Sequence, residues 1–126
     1  MSGREIWAIK LANKYNNAIK TERVKSNHIA IIANKRQIIG IGVNIAHKTS
    51  PLSNKYGNQY SIHAEVAAII DGRQYDYKGC DIFVFRFRSN GKLAMSRPCD
   101  KCMATIRDFN FRNIYYSDND GRIIQE

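Results

Sequence analysis

Between residues 4 and 20 the apolar positions Ala8, Leu11, Ala12, Tyr15, Ala18 and Ile19 recur at three- and four-residue spacing, while Lys10, Lys14 and Asn17 fall elsewhere. That period predicts an amphipathic helix. The pattern then changes. Ser26 to Ala33 is a β-branched apolar run, Asn34-Lys35 offers a turn, and Gln37 to Ile45 is a second run of the same kind. Two such runs across a short polar turn predict a β-hairpin. Gly40 and Gly42 alternate on one face of the second strand, which leaves room there for another element to come close. From Ala46 to Tyr60 the chain turns polar, with Pro51 and Gly57 among Ser, Asn and Lys residues. This predicts a long loop, and loops above about 12 residues in a compact domain are commonly functional or disordered.

The second half alternates between the two periods. Ile62 to Asp71 reads as a short Ala-rich helix closed by Gly72. Asp81 to Arg88 sets Phe83, Phe85 and Phe87 against Val84, Arg86 and Arg88, the alternation of a strand, and Asn90-Gly91 marks a turn. Pro98 to Phe109 has helical spacing at Cys99, Cys102, Met103 and Ile106, with Pro98 suited to the first helical position. Asn113 to Ser117 reads as a strand, and Asp118 to Gly121 followed by Arg122 to Gln125 reads as a hairpin return. Strands interleaved with helices imply an α/β layered domain. Without repeats, low-complexity tracts or a linker, residues 1–126 are expected to form a single domain.

Composition narrows the class. A hydrophobic fraction of 44% in 126 residues suits one ordinary globular core. The first ten residues contain Arg4, Glu5 and Lys10 with no apolar run, and no stretch approaches the roughly 20 apolar residues that span a bilayer. A cytoplasmic protein that does not enter membranes is the expectation. Three cysteines, two of them close together, argue for a metal or reactive site over a disulfide framework. The formal charge of +9 suits an anionic partner, whether a nucleotide or a nucleic acid. Excess lysine that merely keeps the chain dissolved would give the same number.

Two segments hold the metal-ligand chemistry, His63-Ala64-Glu65 and Pro98-Cys99-Asp100-Lys101-Cys102. Cysteines three apart on a helix share a face, so Cys99 and Cys102 can converge on one ion. A helix N-terminus favours the thiolate that zinc needs. His63, at the other helix start, supplies an imidazole. Three protein ligands leave a zinc ion one open position, the mark of catalytic sites, where bound water is activated. Glu65, two residues past His63, is placed as a proton carrier and not as a ligand.

The pairing of His63-Ala64-Glu65 with Pro98-Cys99-Asp100-Lys101-Cys102 resembles the cytidine and deoxycytidylate deaminase superfamily, whose signature is H-x-E followed by P-C-x-x-C. Gly42-Val43-Asn44 looks like the family's sugar-contacting segment, and Ile114-Tyr115-Tyr116 falls where the family places its fourth strand. The resemblance covers residues 4 to 117. It implies a three-layer α/β/α sandwich with a five-stranded mixed sheet, and Zn2+ held by His63, Cys99 and Cys102. Glu65 would move the proton, Asn44 would contact the sugar, the Ala64 N–H would hold the base carbonyl, and the Arg97 carbonyl would accept the amine. The implied reaction replaces the 4-amino group of cytosine by hydrolysis and releases ammonia from a nucleoside or nucleotide. A homo-oligomer is also implied. If the terminal hairpin forms, its strands are antiparallel, which resembles the free-nucleoside branch more than the polynucleotide editors.

Other readings compete. A deaminase of cytosine or adenine in single-stranded DNA or RNA would draw on the charge and the 46–60 loop. A non-catalytic, zinc-supported binding module would need a fourth ligand from Cys80, His28 or His47. Cys80 reads as a small buried apolar residue, and His28 as packed or at a sheet edge. Arg86 and Arg88, with Lys92 and Arg97 nearby, form a basic stripe that is either a phosphate contact or a solvated face. Among the tyrosines 15, 56, 60, 75 and 77, Tyr60 stands nearest the His63 segment. The chain is short for a deoxycytidylate deaminase and has no further His/Cys cluster before His63, which weakens the monophosphate assignment.

Overall fold

In a computed structural model, residues 2–19, 26–46, 61–73 and 76–126 are described. The expected hairpin forms from β1 (Ser26–Asn34) and β2 (Gln37–Val43), antiparallel, with Lys35 in the left-handed region at φ 56°. The turn is therefore Lys35-Arg36, one residue later than the sequence suggested. β5 (Asp81–Arg88) pairs antiparallel with β1, and β7 (Asn113–Ser117) runs parallel to β5. β8 (Ile123–Gln125) returns antiparallel to β7. That final hairpin is fixed by Asp118, whose Oδ1 accepts from the N–H groups of Asp120 and Arg122 at 2.8 and 2.9 Å. The sheet thus runs β2-β1-β5-β7-β8 and is mixed, as the family resemblance implied.

Alternation along each strand sorts the core into two halves. Ile29, Ile31 and Ala33 of β1, Phe83, Phe85 and Phe87 of β5, and Tyr115 of β7 meet Ala8 and Ala12 of helix α1 (Gly3–Ile19). Phe83 stacks on Tyr115 with ring centroids 4.7 Å apart. The opposite face carries Ala30, Ile32, Ile82, Val84, Ile114 and Tyr116. It is covered by α2 (Ala64–Asp71) and α3 (Asp100–Asp108) through Ala68, Ile69, Met103 and Ile106. Burial on both faces explains why the central strands are apolar at nearly every position. The result is a three-layer α/β/α sandwich.

The glycines of β2 set the position of α2. A Cβ on Gly40 would stand 2.5 Å from the Ala68 carbonyl oxygen, and one on Gly42 would collide with Ala68 N and Ala64 O. Helix backbone therefore lies directly on strand backbone, the close approach that the glycine spacing foretold. Small residues in α2 allow the same approach from the other side.

Two short ladders lie outside the sequence expectation. β3 (Ile45–Ala46) pairs with β4 (Ser61–Ile62), so the strand expected through Ile45 breaks at Asn44 and changes partners. Ile62, expected as the first residue of a helix, is in β4 instead. The expected loop between these ladders, residues 47–60, lies outside the described residues. β6 (Leu93–Ala94) pairs with Arg86 and Phe87, beyond the part of β5 that β7 reaches. No helix among the described residues is long and apolar enough to cross a membrane.

Candidate metal centre and active site

Both metal-binding segments lie at helix starts, and each helix begins two residues later than the sequence placed it. His63 is the N-cap of α2 and Cys99 the N-cap of α3, both with extended backbone (ψ 156° and 165°). Pro98 therefore precedes the cap and is not the first helical residue. Its ring favours the extended approach, and its missing N–H costs nothing there. An N-cap side chain normally accepts a bond from the first turn. Neither of these caps does so. Both are turned instead towards a common centre.

At that centre His63 Nδ1 lies 3.1 Å from Cys102 Sγ and 3.8 Å from Cys99 Sγ. The three donor atoms all fall within 4.8 Å of one another. Donors around one tetrahedral zinc ion stand about 3.5–3.8 Å apart, given its usual bond lengths to sulfur and nitrogen. The group therefore fits zinc in both spacing and donor chemistry. Among the described residues no fourth His, Cys, Asp or Glu joins it. Cys80, one candidate for that place, is instead buried in the core between sheet and helices. His47, another candidate, lies outside the described residues.

The electrostatics favour a cation here. Burial pushes the Cys102 thiol well above the usual range, and the nearby Glu65 and Cys99 push it further. A thiol so placed becomes a thiolate only when positive charge offsets its neighbours. Glu65 is 4% exposed, and burial raises its carboxyl pKa against the opposing pull of its own backbone N–H, Cys102 and His63.

A cavity of about 290 Å³ opens beside the group, lined by His28, Asn44, His63, Glu65, Ser96, Arg97 and Cys99. Asn44 arrives where β2 gives way to β3. The Ile45–Ile62 pairing brings it beside His63. Its Oδ1 accepts from the Ala64 N–H at 2.7 Å and so satisfies a first-turn donor that the His63 side chain leaves open. Asn44 and Ala64, expected as separate substrate contacts, are thus bonded to each other. Arg97 stands in the cavity wall with its guanidinium 2.9 Å from Glu126. Ser96 is buried and ties the approach to Cys99 onto the sheet, through Val84 O at 2.7 Å and Ser117 Oγ at 2.8 Å.

His28 and Ser96 are the cavity residues that sequence reasoning did not assign to the site. For His28 a signal existed, since it alternates with Ala30 and Ile32 and so shares their face. Of the basic stripe, Arg88 is exposed and bonds Asn119, while Arg86 is half-buried opposite His28. Tyr77 is a core residue, its hydroxyl donating to Ile69 O and its ring against Phe109 and Phe111. Tyr15 is on the exposed side of α1. Tyr56, Tyr60 and Tyr75 lie outside the described residues.

A mixed sheet between helix layers, with a His/Cys/Cys group shared by two helix starts and a buried glutamate beside it, defines a zinc-type deaminase fold and site. The family model described as "Cytidine and deoxycytidylate deaminase zinc-binding region" matches residues 5–118, and the chain belongs to that family. Its cofactor is zinc. Among curated proteins none matches the chain significantly. Among solved structures, the dCMP deaminase of cyanophage S-TIM5 in its apo form is similar at TM-score 0.57 and 20% identity, over 94% of this chain and 86% of that one. The same enzyme in complex with dCMP and dUMP gives 0.57 and 19%, over 94% and 85%. Guanine deaminase from Bacillus subtilis gives 0.51 and 18%, over 94% and 66%. At these identities the likeness concerns the fold.

Proposed function

We propose that the chain hydrolytically deaminates a cytosine nucleoside or nucleotide (cytidine, deoxycytidine or dCMP) to its uracil form. One observation carries this reading: the buried, non-ligating carboxyl of Glu65 meets the three-donor zinc group at the wall of a small-molecule-sized cavity. His63 Nδ1 and the sulfurs of Cys99 and Cys102 would hold zinc, which when bound would supply the activation of water. Glu65 takes a proton from the attacking water and delivers it to the departing amine. Burial raises the pKa of this carboxyl, which favours the protonated form it takes between the two transfers. Asn44 meets the sugar, and the Arg97 carbonyl accepts from the amine. For the Ala64 N–H to hold the base carbonyl as well, it must share its hydrogen with Asn44.

The antiparallel β7–β8 hairpin supports a free nucleoside or nucleotide substrate, as does the dCMP and dUMP bound by the cyanophage neighbour. The +9 charge favours a second reading, a single-stranded nucleic acid substrate. Ammonia release from cytidine, deoxycytidine, their monophosphates, guanine and single-stranded DNA separates the two. The expected result is turnover of a cytosine monomer that changes little with salt. Turnover of DNA alone, falling steeply with salt, would establish the second reading. Absence of turnover by zinc-loaded protein on every substrate would overturn both. A homo-oligomer belongs to the same proposal.

A further inference from the structure

His28 lines the cavity but belongs neither to the metal group nor to the proton carrier. It stands near the start of β1, directly across the ladder from Arg86 of β5, on the sheet face that carries α2 and α3. Its Nδ1 lies 3.4 Å from Asn44 Nδ2. The roles of these two atoms follow by elimination. The Ala64 N–H can only donate, and it donates to Asn44 Oδ1. The end of the amide turned to His28 is therefore its nitrogen, which also only donates. His28 Nδ1 must then carry a lone pair, so the ring proton sits on Nε2. An imidazolium in this place would set N–H against N–H. The surroundings oppose that charge: burial, then the Arg86 guanidinium, then His63 lower the His28 pKa to about 4.

We propose that His28 is a positioning residue for substrate binding, its neutral imidazole acting as the second anchor that fixes the side-chain amide of Asn44. Ala64 decides which end of that amide faces the helix, and His28 holds the other end. With one N–H engaged by His28 and one lone pair by Ala64, Asn44 retains one N–H and one lone pair. A hydroxyl both donates and accepts, so a sugar hydroxyl is the substrate group that complements this remainder. Without the imidazole acceptor, one end of the amide is untethered, and the pattern shown to the sugar is no longer fixed.

The inference rests on the proposed deaminase reading for its kinetic test but not for its structural one. Imidazole 15N NMR of the wild-type protein at neutral pH is expected to show His28 neutral and protonated on Nε2. Protonation on Nδ1, or on both nitrogens, would overturn the proposal whether or not the protein deaminates anything. In the zinc-loaded enzyme, His28→Leu removes the acceptor at similar size, while His28→Asn returns an oxygen at the δ position. His28→Leu is expected to raise KM for the nucleoside about tenfold with kcat within about twofold, and His28→Asn to restore KM to within about threefold of wild type. A wild-type KM in His28→Leu, or no recovery in His28→Asn, would refute the positioning role. Should His28→Leu fail to fold, the tautomer and the KM of His28→Asn decide. If no substrate turns over, the deaminase reading fails and the tautomer alone decides this one.

Discussion

Among the described residues two carboxylates are buried, Glu65 at 4% exposure and Asp81 at 0%, and the fold treats them in opposite ways. Asp81 opens β5 and is saturated with donors. Arg112 reaches it through Nε at 3.2 Å and Nη2 at 3.0 Å, Asn113 Nδ2 at 3.0 Å, and Arg4 from the first turn of α1. Two cations and an amide leave that carboxylate nothing further to bind. Glu65 instead has its own backbone N–H and the Cys102 thiol, and burial dominates its titration. Burial alone therefore does not mark a reactive acid. What distinguishes the two is that cations already offset the charge of Asp81, whereas Glu65 faces the cavity with burial as its main perturbation, as its proposed role requires.

Substitutions can break this contrast. The largest effect is expected for Glu65→Gln, which keeps size and burial but carries no transferable proton. Turnover should fall about a hundred- to ten-thousand-fold with zinc content unchanged, measured by ammonia release and metal analysis. Asp81→Ala should do the reverse. It leaves Arg4 and Arg112 without their shared acceptor, so urea unfolding should show a loss of about 3 kcal/mol while activity per folded molecule stays at the wild-type level. A fall in kcat at full stability would assign Asp81 to the site and end the distinction.

The smallest effect concerns pH. The folded His28 pKa of about 4 lies below the ordinary value of 6.5. Between those values the unfolded chain binds more protons, so stability rises with pH through this window and is lost as pH falls from 6.5 to 4. His28→Asn should remove about 2 kcal/mol of that loss, screening at the cavity mouth included, when unfolding is followed at pH 4 and 7. An unchanged slope would mean that His28 keeps its charge in the fold.

The metal group was legible because its residues lie in two short segments whose spacing survives any error in helix boundaries. Moving the helix starts to Ala64 and Asp100 changed Pro98 from first helical residue to the residue before the cap, yet left His63, Cys99 and Cys102 together. The sheet was legible where an apolar run or an alternation extended for five residues or more, and at β8 from the turn residues before it. β3, β4 and β6 were not, since a two-residue ladder has no period to read. His28, read as packed or at a sheet edge, was not assigned to the cavity, for a different reason. Alternation gives the parity of a strand residue, but which parity faces the helices that carry zinc depends on how layers stack, a long-range property. Asn44 was assigned to the sugar by resemblance alone. Its bond to Ala64 depends on the change of strand partner, which nothing local announces.

That change of partner has a consequence for how this protein can vary. The Ile45–Ile62 and Ala46–Ser61 pairs join the chain at the two ends of the stretch 47–60, on the very residues that deliver Asn44 and His63. A segment fastened at its neck can be lengthened, shortened or exchanged at small entropic cost, roughly 0.6 kcal/mol for each doubling. Both residues at the neck would stay in register throughout. The placing of Asn44 beside His63 is then owed to the two-pair ladder and not to the length of chain that joins its strands.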